Sequence, residues 1–244
     1  MKITYIEHSG FCAELEDVCF LFDYYKGAVP EISAGKALVV FVSHKHGDHY
    51  NPEIFGLLEK YPKVQFVISR DVRLKWKILE YREKGIDLET HILAAAKNTE
   101  QLITLTNGKK LKLETLKSTD EGVAYLLTYD EKVIYHAGDL NLWIWEGESK
   151  QYNNNMRKAY FTELEKLKDK KIDVAFVPLD PRLENHAFDG LSSFMEYTES
   201  KHVFPMHFWG EFNIIPAFLE KYPEYGEQIK IIEKTGQVFE ISGI

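Results

Sequence analysis

The sequence predicts an α+β protein organised as a four-layer αββα sandwich, in which two β-sheets pack face to face beneath outer helices. The main observation is that strand-like runs followed by helical patterns occur twice along the 244-residue chain. No Pro-, Gly- or Ser-rich linker separates these two arms. We therefore expect one domain that spans residues 1–244.

The first arm begins with four predicted strands. Apolar runs indicate strands at Lys2–Glu7, Phe11–Leu15, Val18–Phe22 and Ala37–Val42. The last run is apolar at every position, which is typical of a strand buried on both faces of a parallel sheet. Helical patterns follow at residues 52–60 and 71–84. The first of these begins with Asn51-Pro52-Glu53, which supplies an N-cap, a proline at the first helical position and a first-turn acid.

The second arm repeats this order. Strands are predicted at residues 102–106, 111–117, 123–129 and 132–136, and a Tyr/Asn-rich loop at 142–156 precedes a charged helix over Lys158–Lys170. The last third alternates between strands and helices. Its strands are predicted at Asp173–Pro178, His202–Pro205, Ile229–Glu233 and Gln237–Ile241, and its helices at 190–199 and 214–221.

Composition limits the classes of function. The formal net charge of −8 argues against a general nucleic-acid-binding surface, because phosphate binding depends on basic patches. Cys12 and Cys19 are too few for a disulfide framework, which favours a reducing cytoplasm. No apolar stretch approaches the ~20 residues of a membrane span, and the chain enters a strand without a signal-peptide core. We expect a cytoplasmic protein without a membrane partner, and its oligomeric state is left open.

The most informative motif is residues 44–49, His-Lys-His-Gly-Asp-His, directly after the predicted strand Ala37–Val42. Four side chains that can bind metal lie within six residues. They follow the carboxyl end of the strand, which is where open α/β sheets place their functional residues. Neutral imidazole and ionised carboxylate suit zinc, iron or manganese. Gly47 permits the close backbone approach that four packed ligands require. The motif therefore predicts a metal site.

This spacing resembles the His-x-His-x-Asp-His signature of the metallo-β-lactamase-fold hydrolases, a family whose fold is the same αββα sandwich. The resemblance implies that His44 and His46 bind one metal ion, called metal one here. It implies that Asp48 and His49 bind a second, called metal two. The cofactor expected from these ligands is zinc, as one or two ions, with manganese or iron as alternatives.

Further ligands are implied at other strand ends. Asp139, in the Gly-Asp that follows the strand 132–136, resembles the family's bridging carboxylate, whose two oxygens can hold two cations. His207, after Val203-Phe204-Pro205-Met206, resembles its last histidine and is expected on metal two. Asp23, at the end of Val18–Phe22, matches an early family aspartate that orients a ligand histidine through its other ring nitrogen.

The chain departs from the family pattern at one ligand of metal one. The stretch that normally supplies a third histidine is Lys117-Ser118-Thr119-Asp120-Glu121-Gly122, which has none. Asp120 can substitute as an oxygen ligand, and His186 is another possible donor. A third alternative is that metal one is weak or absent, and the sequence does not decide among them.

His8 and His136 resemble positions in a sub-branch of the family, the ascorbate-phosphate lactonase-like and uncharacterised metal-dependent hydrolases, where such residues lie beside the metals. We assign them as candidate catalytic residues that protonate a leaving group or stabilise an oxyanion. Asp48 is a third candidate, which orients water or carries its proton. The tryptophans that follow two of the strand ends are expected to line a substrate pocket or to pack in the core: Trp143, Trp145 and Trp209.

The sequence therefore predicts a metal-dependent hydrolase that uses a metal-activated water on a small ester, lactone or phosphodiester. The acidic net charge of −8, combined with a centre that can neutralise an anion, favours a small anionic substrate. The alternatives are a metal-dependent nuclease, a redox enzyme of the same fold and a non-catalytic metal-binding protein. The redox alternative requires a flavin domain or partner, for which this chain has no room.

Overall fold

The computed structural model describes residues 1–33, 35–168 and 170–243. Its strands, in chain order, are β1 Lys2–Glu7, β2 Gly10–Glu14, β3 Val18–Phe22, β4 Ala37–Val42, β5 Gln65–Ser69, β6 Ile92–Ala95, β7 Glu100–Thr104, β8 Lys110–Lys117, β9 Val123–Tyr129, β10 Lys132–His136, β11 Lys171–Pro178, β12 Glu199–Met206 and β13 Val238–Glu240. Its α-helices are α1 Leu57–Lys60, α2 Lys75–Glu83, α3 Lys150–Leu164, α4 Asp189–Tyr197 and α5 Ile214–Lys221. Short 3₁₀ turns occupy Pro52–Gly56, Leu88–His91, Glu165–Leu167, Pro181–His186 and Pro223–Tyr225.

The strands form two mixed sheets. The first has the order β13-β1-β2-β3-β4-β5-β6 and the second β12-β11-β10-β9-β8-β7. The pairs from β3 to β6 are parallel, as are β10 with β11 and β11 with β12. Parallel neighbours end at the same edge of a sheet, so several carboxyl ends meet there.

Aromatic side chains join the two sheets face to face. Phe41 of β4 contacts Tyr125 of β9, with ring centroids 5.2 Å apart, and Phe11 of β2 contacts Phe176 of β11 at 4.4 Å. A second cluster lies on the outer face of the first sheet, where Phe55 contacts Phe66 at 4.9 Å beneath the helical segment 52–60. The predicted four-layer sandwich is therefore confirmed.

Several predicted element boundaries differ from the structure. The short strands β5 and β6 were not predicted, because the uninterrupted apolar runs within them, Phe66–Ile68 and Ile92–Ala95, are only three and four residues long. Helix α3 begins at Lys150 rather than Lys158, since the Ser149 side chain caps it by accepting from the Tyr152 amide. The loop predicted at 142–156 is thus largely helical from Lys150 onward. Its consecutive asparagines, poor helix formers, explain the wrong prediction.

The predicted strand Ile229–Glu233 is also wrong. This segment makes a single parallel bridge, between Val203 and Ile229. Its apolar pattern instead reflects packing, because Ile229 and Ile232 are buried in the core between the sheets. In the described part of the chain, no helix is long and apolar enough to cross a membrane.

Candidate metal centre

Four histidine side chains converge at the carboxyl edge of the sandwich. His44 and His49 lie in the loop after β4, His207 follows β12, and His8 lies in the turn between β1 and β2. All four residues are at most 3% exposed, and their Nε2 atoms have no hydrogen-bond partner among the described residues. An unpartnered buried polar atom costs about 1–3 kcal/mol. A divalent cation suits these lone pairs, so the residues present fit a metal.

Hydrogen bonds at Nδ1 orient two of these rings. His49 donates from Nδ1 to Asp23 Oδ2 at 2.8 Å. Ser43 donates its hydroxyl to the same carboxylate oxygen at 2.6 Å, so it accepts the 2.9 Å hydrogen bond from His44 Nδ1. With the proton on Nδ1, both rings present a bare Nε2 to the centre. The structure therefore places Asp23 where the orienting role predicts it.

The ring of His207 is oriented in the same way by Asp180, a residue that the sequence did not single out. His207 Nδ1 donates to Asp180 Oδ2 at 2.8 Å. Arg182 holds the carboxylate from the other side, with Nε 3.0 Å from both oxygens and Nη2 2.6 Å from Oδ2. Burial opposes ionisation of Asp180, but His207 and Arg182 lower its pKa to about 2.

Asp139 lies between the histidines and faces both sides of the centre. Its Oδ1 is 3.1 Å from His49 Nε2 and 3.4 Å from His207 Nε2, and its Oδ2 is 3.3 Å from His44 Nε2. Ligands bound tetrahedrally at ~2.1 Å from zinc lie roughly 3.4 Å apart. Burial opposes ionisation, but the histidines hold the pKa of Asp139 well below its usual range. Asp139 therefore lies within reach of His44 on one side and of His49 and His207 on the other.

The ligand-capable atoms form two groups, each with all members within 4.8 Å of one another. The first group is His8, Asp48, His49 and His207, and the second is His44, His46 and Asp139. The predicted division between metal two and metal one therefore corresponds to two neighbouring groups. His8, assigned from the sequence as a catalytic acid or oxyanion-stabilising residue, instead joins the ligand atoms of the first group.

Asp48 is the more exposed member of that first group, and His8 lies buried beside it. His8 Nε2 lies 3.3 Å from Asp48 Oδ2. Burial lowers the pKa of His8 to about 4, which keeps the ring neutral as a ligand must be. Burial opposes the ionisation of Asp48, but His8 and His49 lower its pKa below the ordinary value. A lowered pKa makes His8 a weaker candidate for a general acid at neutral pH, and its catalytic role stays a prediction.

His136 is a correction to the predicted catalytic set. It is fully buried, and both of its ring nitrogens are occupied by backbone groups. Nε2 donates to the Ser9 carbonyl at 2.9 Å, and Nδ1 accepts from the Gly138 amide at 3.1 Å. The ring also stacks on Phe22, with centroids 4.9 Å apart. Because neither nitrogen can reach a substrate, His136 is structural and not a proton donor.

The two candidate replacements for the missing third histidine lie in different places. Asp120 Oδ2 is 3.6 Å from His46 Nδ1, beside the second group, although Asp120 is not a member of that group. The pKa of Asp120 is raised, mainly by burial and secondly by the negative charge of Asp139. His186 instead pairs with Asp189 at 2.8 Å and does not belong to either group. The geometry favours Asp120 over His186.

Backbone strain accompanies the site. Asp23, His8 and His207 all have positive φ angles, of 40°, 56° and 64°. Such conformations cost about 1–3 kcal/mol in non-glycine residues and cluster at functional sites. Gly122, with φ of 68°, crosses so close to the metal loop that a Cβ there would lie 2.0 Å from the Ser43 carbonyl oxygen. This position requires glycine.

A cavity of about 280 Å³ opens above the ligand groups. Its floor includes His46, Asp48, Asp139 and His207. Its remaining walls are formed by Thr119, Asp120, Trp143, Trp145, Tyr152, Met156 and Arg182. Trp143 and Trp145 line the cavity, which is one of the two placements that the sequence left open. Trp209 instead packs against the His8 ring and the Arg182 guanidinium, at 4.4 and 4.7 Å.

Comparisons with known proteins agree with this architecture. Residues 2–154 match the family model described as the Beta-lactamase superfamily domain. The chain is 22% identical over 239 residues, 96% of each chain, to a UPF0173 metal-dependent hydrolase of Carboxydothermus hydrogenoformans. Igni18, a novel metallo hydrolase from the hyperthermophilic archaeon Ignicoccus hospitalis, is similar with a TM-score of 0.62 and 17% identity over 99% of both chains. CmlA, a diiron β-hydroxylase from Streptomyces venezuelae, is similar with a TM-score of 0.61 and 12% identity over 98% of this chain and 54% of that one.

Proposed function

The chain belongs to the metallo-β-lactamase superfamily of metal-dependent hydrolases, and we propose that it hydrolyses a small ester, lactone or phosphodiester. The observation that carries this proposal is the convergence of unpartnered, buried histidine Nε2 atoms on the carboxylate of Asp139. Asp139 and His207 of this cluster line the floor of a cavity that admits a small molecule.

The proposed ligands follow the two groups of atoms. Metal two would be held by Asp48, His49, His207 and Asp139, with His8 as a further donor. Metal one would be held by His44, His46 and Asp139, with Asp120 beside them. A divalent metal bound here would supply a water of lowered pKa and a positive charge that polarises the carbonyl or phosphoryl oxygen of a substrate. Zinc suits this mixture of imidazole and carboxylate, as do manganese and iron.

Asp48 is the residue that we assign to proton transfer. Its side chain is 23% exposed and lines the cavity, so it reaches both the ligand groups and a bound substrate. Because its pKa is lowered, the carboxylate is ionised at neutral pH and can orient an attacking water and accept its proton. Neither His8 nor His136 lines the cavity.

The dimensions of the cavity favour a small substrate over a polynucleotide. At about 280 Å³ it lies just below the range of roughly 300–1,000 Å³ that is usual for small-molecule sites. The net charge of −8 also disfavours a long anionic strand, whose binding depends on many basic side chains.

The test combines metal analysis with a substrate screen. The protein is stripped, reloaded separately with zinc, manganese and iron(II), and assayed on 4-nitrophenyl acetate, a δ-lactone, bis(4-nitrophenyl) phosphate and a short RNA. We expect metal-dependent turnover of at least one small substrate, and a loss of about 100-fold or more in Asp48→Asn. Asp130→Asn, an exposed substitution remote from the ligand groups, is the matched control.

Each other outcome identifies a different function. Tight metal binding without turnover of any substrate would identify a metal-binding protein without catalysis. Cleavage of RNA that falls steeply with rising salt would identify a nuclease.

A further inference from the structure

We propose that Arg182 is the residue that selects the substrate, by binding a carboxylate or phosphate group at the rim of the metal cavity. This inference rests on the proposed hydrolytic function and deepens it. Among the described residues that line the cavity, Arg182 is the one lysine or arginine. The other polar walls and floor are histidine, threonine, tyrosine and aspartate, so Arg182 supplies the permanent positive charge.

The guanidinium group of Arg182 is fixed by Asp180 along one edge and by Trp209 on one face. Asp180 accepts hydrogen bonds from Nε and Nη2, which occupies one edge of the planar group. The Trp209 ring covers one face, with its centroid 4.7 Å from the guanidinium carbon. None of the hydrogen bonds among the described residues uses Nη1. The group is therefore rigidly oriented, with donors remaining for a ligand.

The Asp180–Arg182 pair is formally neutral, which determines how it can recognise an anion. Its selectivity must come from directed N–H donors rather than from net charge. A planar guanidinium provides two parallel N–H groups in a fixed geometry that matches carboxylate and phosphate, and an ammonium group does not. Lysine at this position should therefore replace arginine only in part.

The apolar walls of the cavity indicate what the rest of the substrate is like. The Trp143 and Trp145 rings are nearly parallel, at 7°, and line the cavity together with Met156. Trp143 is held in place because its Nε1 donates to the Asp139 carbonyl at 2.9 Å. Flat indole surfaces favour an apolar or aromatic group. The substrate class that fits is a small ester, lactone or phosphodiester with an apolar body and an additional anionic group away from the bond that is cleaved.

The same aspartate connects this anion site to the centre. Asp180 accepts from Arg182 and from His207, so one carboxylate orients the proposed anchor and a proposed metal ligand. In Arg182 variants the backbone amide of residue 182 continues to donate to Asp180 Oδ1, at 2.9 Å here. The orientation of His207 should therefore persist when the guanidinium is removed, which makes the anchor separable from metal binding.

The test compares benzoate with benzamide, two ligands of nearly equal shape that differ in charge. Binding to the metal-loaded protein is followed by quenching of tryptophan fluorescence, with metal content measured in every variant. We expect benzoate to bind more tightly than benzamide. In Arg182→Gln this preference should fall about 10- to 100-fold, as for loss of a charge-assisted hydrogen bond. Arg182→Lys should restore part of it, and Lys221→Gln, which removes an exposed charge elsewhere, should leave it unchanged.

Hydrolysis of 4-nitrophenyl hemisuccinate and 4-nitrophenyl butanoate separates this inference from the proposed function. If neither these esters nor any small substrate of the metal-reloading screen is cleaved but benzoate binding depends on Arg182, the anion site stands and the proposed function fails. If both are cleaved and Arg182→Gln changes neither the benzoate preference nor the ratio of their kcat/KM values, the anion site is wrong. An unchanged preference in metal-loaded Arg182→Gln overturns it in either case, because the anion then binds the metal alone.

Discussion

Asp180 accepts a 2.8 Å hydrogen bond from Nδ1 of His207, although the two residues are 27 positions apart in the chain. We predict that Asp180→Ala weakens metal binding about 10- to 100-fold, because partners of ligand histidines fix the ring orientation and the tautomer. Metal titration of the stripped protein measures the change. Asp130→Ala, at an exposed surface ion pair, should keep the wild-type affinity. An equal affinity in both variants would show that packing alone orients His207.

His207→Ala should release metal and lower thermal stability. The residue is 2% exposed and its Nε2 faces Asp139 at 3.4 Å, so its loss removes a ligand from metal two. Since a metal bound to the native state stabilises it by about 2.7 kcal/mol at 100 times Kd, the added metal should raise Tm in the wild type and much less in the variant. His202→Ala, earlier on the same strand, is the control. Full metal retention in His207→Ala contradicts the ligand assignment.

The two metals should leave at different chelator concentrations. The proposed ligands of metal one include His46, whose side chain is 41% exposed, whereas His49 and His207, proposed for metal two, are buried. Both the exposure of His46 and the missing third histidine should lower the affinity of the site for metal one. We expect two steps in a chelator titration followed by metal analysis. Asp120→Ala should accelerate only the first step, and His186→Ala should change neither. Loss of both metals in one step would contradict the inequality.

Gly122→Ala should destabilise the fold by more than about 2 kcal/mol, since it adds both a clash and a strained φ angle. The new Cβ would lie 2.0 Å from the Ser43 carbonyl oxygen and 2.5 Å from the His44 Cβ. Gly147→Ala is the matched control, because a Cβ there meets nothing within 4 Å. Its effect should stay within about 0.5 kcal/mol. Urea unfolding of the two variants distinguishes them.

The ion pairs of Glu14 should make stability depend on pH in the acid range. Burial opposes ionisation of Glu14, but Lys2 and Lys36 lower its pKa below the ordinary value. A depressed pKa in the folded state means that the stabilisation is complete above the ordinary pKa of about 4.3 and is lost as the pH falls through the folded value. Glu14→Gln should therefore cost about 1 kcal/mol at pH 7, and less near pH 3. Glu227→Gln, an exposed substitution, should show no such trend in urea unfolding. A difference between Glu14→Gln and wild type that is constant from pH 7 to pH 3 would show that the ion pairs contribute nothing.

The site was predictable from the sequence wherever its residues are local. The loop 44–49 carries several ligands within one turn of chain, so their proximity follows from spacing alone. Asp139 and His207 are each separated from this loop by many residues, and their inclusion depended on resemblance to a family. Asp180 lies far from this loop in the sequence and belongs to no recognised family motif. Its role arises because β11 and β12 are parallel neighbours, with Pro178 paired to Met206, so the residues that follow each strand meet.

His136 shows the opposite case. Its imidazole is a common catalytic group, but its surroundings in the fold exclude it from the cavity. Its resemblance to a family position beside the metals favours a catalytic role, but the pairing of β10 between β9 and β11 directs its ring into the core. No sequence motif singled out Arg182, but the 3₁₀ turn Pro181–His186 brings its side chain to the cavity.

The four-layer class and the metal-binding loop could be inferred from the sequence, because hydrophobic periodicity and ligand spacing are properties of neighbouring residues. The three-dimensional structure was needed to show that His8 lies among the ligand atoms, that His136 does not reach the cavity, and that Asp180 and Arg182 lie beside His207. These properties depend on strand register and on the packing of one sheet against the other. Contacts between distant residues leave no periodic trace in a single chain.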